Sequence, residues 1–397
     1  MSISFRGRAD EQEIVNLLSD LVRINSINPC TGTLGIDGNG ETDIIRYIAN
    51  YFDAQGIAYT LQEVLPQRCN LVAHIKGQGK GTLVFEAHVD TVTVDAMVID
   101  PFDPVCRDGK LYGRGSSDCK GSVATMMYAF SMLKKMNVVP ECDIYFVAAA
   151  DEEYAYRGVL KFLEDGRRYD GAVIGEPTSL RVCIANKGVT RFFVTARGTA
   201  CHSSMPWKGH NAIMDMAKLI TKINQQIQPR MAEYVHPLIG PRTLSITTIR
   251  GGELVNITPD FCQIQIDVRT LAGDTFSGLA ADIQALIDEL KAEDPAVDIT
   301  IEPAYLEDQC METPESAPVV QGICAACDKI LDEHIIDGLF CGCDATKFSR
   351  AGTQALVFGP GDIKVAHTVD EFVPISELTK AAEVYAQLCV DFLPQRN

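Results

Sequence analysis

The sequence predicts a two-domain α/β fold, in which a smaller α+β domain interrupts a larger α/β domain built from both ends of the chain. Three observations predict it. The chain has 397 residues, beyond the ~250 to 300 at which single hydrophobic cores stop growing. Ile144 to Ala150, Ala172 to Ile174 and Ala355 to Phe358 are short, nearly uniform apolar runs, which suit strands buried on both faces of an α/β sheet. Between about Lys187 and Pro295 the pattern changes. There Cys262, Ile264, Ile266 and Val268 alternate with Gln263, Gln265, Asp267 and Arg269, the period of a sheet with one wet face. The expected boundaries are 1–186 and 298–397 for the two parts of the larger domain and 187–297 for the insertion.

Element by element, Ile14, Leu17, Leu18, Leu21 and Val22 recur at helical spacing, and Ile44, Ile45, Ile48, Tyr51 and Phe52 do so again before Gly56. Cys69 to Ile75 and Thr82 to Ala87 read as strands, and the glycine-rich segment Lys76 to Gly81 between them reads as the turn of a hairpin. That segment lacks the order of a dinucleotide site and the GK[ST] of a phosphate loop. A helix is expected through Val123 to Leu133. Inside the insertion, Thr243 to Ile249 is a further strand, and two helices run through Ile213 to Ile220 and Ile283 to Leu290. The chain closes with a helix bearing Leu378, Val384, Tyr385, Leu388 and Phe392.

Composition narrows the function. Hydrophobic residues make up 46% and charged residues 22%, the balance of a chain that buries a core. A net charge of -18 repels nucleic acid and acidic membrane surfaces, so neither is an expected partner. The start of the chain turns polar at once and no apolar run approaches the ~20 residues that span a bilayer. Fourteen cysteines spread through a long chain without an export signal read as reduced thiols, which points to the cytoplasm.

Five short segments place metal-type ligands just beyond a predicted strand or in a loop of the larger domain. They are His88-Val89-Asp90, Ser117 to Gly121 with Asp118 in it, Asp151-Glu152-Glu153, Gly175-Glu176-Pro177 and Ala366-His367. Each residue alone has an ordinary reading as a surface or turn residue. Together they cluster where open α/β sheets bind ligands, outside the carboxyl ends of the strands. Imidazole with carboxylate suits a catalytic zinc or similar divalent ion, whereas a structural zinc site favours cysteines.

The runs Glu86 to Val92, Gly113 to Gly121, Asp151-Glu152-Glu153 and Gly175 to Thr178 resemble, in order, the metal motifs of the acetylornithine deacetylase and succinyl-diaminopimelate desuccinylase family, whose relatives include aminoacylases, dipeptidases and glutamate carboxypeptidases. The resemblance covers nearly the whole chain. It implies a zinc-peptidase-like catalytic domain with an inserted ferredoxin-like lid that also dimerises. It also implies two divalent ions per chain, zinc with cobalt or manganese as alternatives. His88 and Glu176 would bind one, Glu153 and His367 the other, and Asp118 would bridge them. Glu152 would be the general base, and Asp90 would accept the second ring N–H of His88. Cys119 would be a small packing residue.

In the insertion, the resemblance makes His202 the candidate oxyanion donor, reaching the substrate from a partner subunit. Asn256 and Arg269, with Lys187 as a weaker candidate, would hold the substrate carboxylate. The chain departs from its relatives at Cys343, where they usually show Ser or Thr. Cys324, Cys327, Cys341 and Cys343 make a C-x2-C…C-x-C pattern without a counterpart in the family. The implied reaction is hydrolysis of an N-acyl amino acid, with a di- or tripeptidase, a glutamate-type carboxypeptidase and a non-catalytic metal-binding scaffold as alternatives.

Overall fold

The structure is a computed structural model that describes residues 3–30 and 40–394. The chain divides into two compact units. The first comprises Met1–Ala185, Thr313–Gly338 and Cys343–Asn397, and the second Asn186–Glu312 with Leu339–Gly342.

The first unit is built on a mixed sheet in which strands run in the order Ala58–Leu65, Arg68–Ile75, Asp143–Ala149, Thr82–His88, Gly171–Ile174, Ala355–Val357 and Val182–Asn186. The middle four of these, from Asp143–Ala149 to Ala355–Val357, are mutually parallel. They are also the apolar runs, because a strand covered by helices on both faces has no wet side to alternate towards. The helices Glu11–Arg23, Thr42–Gln55, Lys120–Lys135, Pro318–Leu331 and Ile375–Asp391 supply that cover. Thr42–Gln55 stops at Gly56, whose left-handed φ of 63° closes the last turn without a Cβ clash.

The glycine-rich segment 76–81 does not join a hairpin. Arg68–Ile75 and Thr82–His88 lie on opposite sides of Asp143–Ala149, which pairs antiparallel with the first and parallel with the second. A Cβ on Gly77 would fall 2.1 Å from the carbonyl oxygen of Cys142, so this glycine serves a close backbone crossing and not a tight turn.

The second unit is a β-α-β-β-α-β arrangement of ferredoxin-like topology. Its antiparallel sheet runs Thr243–Gly251, Phe261–Thr270, Gly188–Arg197, Asp298–Ile301. Ala212–Lys222 and Phe276–Glu293 cover one face, burying Phe192, Val194, Ile264, Ile266, Met216 and Ile287. Residues along Phe261–Thr270 alternate between half-buried and buried without a break. The unit runs past 297 to Glu312, because Asp298–Ile301 is the fourth strand of its sheet and Leu306–Asp308 also pairs with Gly188–Arg197.

Cys324 and Cys327 are buried on the helix Pro318–Leu331. Among the described residues no cysteine forms a disulfide, and Cys324, Cys327, Cys341 and Cys343 form no metal-ligand group. No helix among the described residues is long and apolar enough to cross a membrane.

The strand that ends in His88 is anchored by Phe85, whose ring lies 6.3 Å from that of Phe130 and 5.5 Å from that of Tyr385. Phe85→Ala is expected to cost about 3 to 5 kcal/mol through the cavity it leaves. Denaturant unfolding checks this, and an unshifted midpoint would show that the ring carries no share of the core.

Candidate metal centre

Parallel pairing brings the strand ends of the first unit to one edge. His88 is in register with Ala149, and Glu86 with Ile174, so the residues after Ala149 and after Ile174 emerge beside His88. Asp118 arrives separately, just before the helix Lys120–Lys135. The peptide bond that follows it is cis. His367 sits in a left-handed turn, φ 60°, beyond the strand Ala355–Val357.

These elements make two donor sets that share one carboxylate. Asp118 Oδ1 lies 3.0 Å from His88 Nε2, and Asp118 Oδ2 lies 3.2 Å from His367 Nε2. Glu176 completes the first set, 3.8 Å from His88 Nε2, and Glu153 the second, 3.0 Å from His367 Nε2. Ligand atoms within each set lie within 4.8 Å of one another. Donors bound at ~2.1 Å around a tetrahedral ion stand roughly 3 to 4 Å apart, so both sets fit a divalent cation. His88 and Asp118 are buried, while the His367 side chain is 50% exposed, leaving the second set open on one side.

Cys119 also lies within reach of the first set. Burial drives its thiol well above the usual range, and its Sγ donates to the carbonyl of His88 at 3.2 Å, so the neutral sulfur packs and bonds to backbone. The nearest acceptor for His88 Nδ1 is the backbone carbonyl of Asp90 at 2.9 Å, with the Asp90 carboxylate 3.6 Å away. That carboxylate accepts instead from the backbone N–H groups of Glu152 and Glu153, each at 3.1 Å. Asp90 therefore ties the histidine to the acidic turn.

The profile of peptidase family M20/M25/M40 matches residues 84–391. The chain belongs to that family. Curated relatives include the acetylornithine deacetylase of Myxococcus xanthus, 29% identical over 358 residues that cover 88% of this chain and 92% of that protein. The probable succinyl-diaminopimelate desuccinylase of Staphylococcus epidermidis is 28% identical over 414 residues, covering 96% and 98%. Among solved structures, aminopeptidase PepT from Bacillus cereus superposes with a TM-score of 0.78 at 20% identity, covering 96% of this chain and 98% of that one. A dinuclear metal binding peptidase of the family from Bacillus subtilis gives 0.70 at 15% identity, covering 96% and 97%. As a family M20 member the chain is a hydrolase of amide bonds.

The remaining sequence-predicted residues lie in the second unit and form two groups. His202 is on the short strand Cys201–His202, paired with Ile257–Thr258, and the carbonyl of Asn256 accepts from Ser203 N–H at 2.9 Å. The His202 ring bonds Ser204 Oγ at 2.8 Å. Arg269 Nε donates to Asp267 at 2.9 Å. Lys187 is buried, and its Nζ donates to the carbonyl of Pro241 at 2.5 Å. Burial, and then the nearby charge of Arg269, lower the Lys187 pKa.

Sequence reasoning missed Glu371 and Arg114. Glu371 Oε1 accepts from the backbone N–H groups of Ser117 and Asp118, at 2.9 and 3.0 Å. Its other oxygen pairs with Arg114 at 2.7 Å. Both side chains are buried. Their only sequence signal is proximity, Arg114 to Asp118 and Glu371 to His367.

Burial and crowding of these acidic groups favour their protonated forms. Burial raises Glu176 to about 8 and Glu152 well above the carboxylate range. Hydrogen bonds to Asp118 and Glu153 raise His367 to about 10. Burial pushes Asp118 upwards too, but the two histidines hold it below its ordinary value. A ligand must shed its proton to bind a cation, so raised pKa values mean protons competing with the metal at neutral pH. Zinc loading is therefore expected to release protons and to tighten by at least tenfold from about pH 6 to about pH 8. Calorimetry in buffers of different ionisation enthalpy measures the release, and a pH-independent affinity would contradict this electrostatic picture.

Proposed function

We propose that the chain is a two-metal amidohydrolase that cleaves an N-acyl amino acid into a carboxylate and a free amine. The observation that carries the reading is the buried Asp118 carboxylate, whose two oxygens face two different histidines 3.0 and 3.2 Å away, next to a turn bearing an acidic residue that neither donor set uses. His88 and Glu176 would hold one ion, Glu153 and His367 the other, with Asp118 between them. Zinc suits this nitrogen and oxygen set, as cobalt or manganese also would. When bound, a pair of ions would lower the pKa of a bound water towards ~7 and polarise the amide carbonyl.

Of the other two carboxylates on the turn, Asp151 is bound by Arg68 and Asn28, which leaves Glu152. It accepts the proton of the attacking water and delivers it to the departing amine nitrogen as the C–N bond breaks. His202 would donate to the carbonyl oxygen, and Arg269, Asn256 and Lys187 would recognise the substrate carboxylate. Dimerisation through the inserted domain would let His202 act from a partner subunit. The cytoplasm suits cysteines that form no disulfide among the described residues.

The deacylase reading draws support from the deacetylase and desuccinylase relatives, which align along almost the entire chain. A peptidase with the same site is the second reading, favoured by the peptidase structures that share the fold. A panel of N-acetylornithine, N-succinyl-diaminopimelate and simple dipeptides separates them. Turnover of an N-acyl amino acid is expected, and cleavage of dipeptides alone would reject deacylation. Glu152→Gln is expected to keep both ions and lose about 10²- to 10⁴-fold in kcat, the usual span for a general base. Full activity in that variant would remove Glu152 from the role.

A further inference from the structure

The acidic turn rests on a buried polar assembly that neither donor set explains. Arg68 grips Glu41 with two parallel hydrogen bonds, from Nε to Oε2 and from Nη2 to Oε1, and its Nη2 also donates to Asp151 Oδ1 at 2.9 Å. Glu41 Oε1 in turn accepts the backbone N–H of Asp151 at 3.0 Å. Asn28 Nδ2 bridges the same Asp151 oxygen, at 3.0 Å, to Asp90 Oδ2, at 2.8 Å. Asn28, Glu41, Asp90 and Asp151 are fully buried and Arg68 is 8% exposed.

Asp151 holds a left-handed φ of 68°, which turns the chain so that Glu152 and Glu153 come immediately after it. Its backbone N–H goes to Glu41 and its side chain to Arg68 and Asn28. The next two N–H groups go to Asp90. Three successive amides are thus held by buried carboxylates; Arg68 is the buried cation among them, and the more exposed Arg157 lies 3.4 Å from the other oxygen of Asp151. Well-packed apolar residues would serve stability as well as or better than a buried ion pair. What they could not supply is a fixed direction for each amide.

We infer that the Arg68–Glu41 pair, with Asn28, is a buttress that positions the Asp151–Glu153 turn and so aims Glu152 and the Glu153 donor. These are positioning residues: Arg68 and Glu41 act through Asp151, and Asn28 through Asp151 and Asp90. The inference rests on the proposed roles of Glu152 and Glu153. It predicts an unequal effect, because Glu153 stands on the turn itself, whereas His88 meets the turn only through Asp90, and Asp118 and Glu176 come from other segments.

The test is Arg68→Lys, which keeps the charge and loses the fork. Calorimetric titration of the metal-free protein with cobalt(II) should show one of two equivalents weakened about 10- to 100-fold, the usual effect of removing a partner behind a ligand, and the other unchanged. In a Glu153→Ala background the same substitution should leave the remaining equivalent alone. At saturating cobalt, kcat should fall while KM stays within about twofold, because the lost interaction belongs to the reacting geometry. Glu41→Gln, which keeps the shape of the partner, should give the same pattern to a smaller degree and serves if Arg68→Lys does not fold.

Equal weakening of both equivalents, or wild-type cobalt binding and kcat in either folded variant, would overturn the buttress. Failure of the functional reading looks different. Wild-type protein that binds two cobalt ions but cleaves no amide would refute the hydrolase mechanism, while the ratio of variant to wild-type binding still decides the buttress.

Discussion

The first unit is organised around one electrostatic constraint, the placing of several carboxylates and two imidazoles around the buried Asp118. Like charges this close cannot all ionise without compensation, and burial removes the water that would screen them. Burial therefore raises Glu176 and Glu152, and hydrogen bonds to Asp118 and Glu153 raise His367, each towards its protonated form. On the proposed reading, cations would replace those protons, and acidity too costly for a core would become a site. Asp118 is held for this from behind, by Glu371 on two consecutive amides and by Arg114 on Glu371.

The sheet makes the constraint tolerable by delivering residues from distant parts of the chain to one edge. Asp143–Ala149, Thr82–His88 and Gly171–Ile174 run parallel in adjacent positions, so the residues just beyond each strand emerge on the same side. That placement is general for open α/β sheets. Rigid apolar strands then hold functional loops more accurately than loops hold themselves, and aromatic contacts such as Phe85 with Tyr385 supply the rigidity. The second unit is simpler in kind, one antiparallel sheet under two helices, and its wet face leaves polar residues such as Arg269 and Asp267 available.

Much of this was legible in the sequence. His88, Glu152, Glu153 and Glu176 each come after an apolar run, and such runs announce buried strands whatever their partners. The alternation from Cys262 to Val268 announced a sheet with one wet face. Pairing was less legible. The segment 76–81 carried a turn signal, but turn chemistry is local and could not reveal that Asp143–Ala149 slots between the strands it joins. Nor did periodicity mark Asp298–Ile301 as the strand that completes the second unit. The buried charges were the least visible. Arg68, Glu41, Arg114 and Glu371 look in sequence like ordinary surface residues, and only their partners, distant along the chain, make their burial tolerable.

The central claim is that Asp118 lies between two cations. Anomalous scattering from crystals of the zinc-loaded protein tests it most directly. Two peaks per chain are expected, one beside His88 and Glu176 and one beside Glu153 and His367, each next to a different oxygen of Asp118. A single peak, or peaks that leave Asp118 uncoordinated, would contradict it.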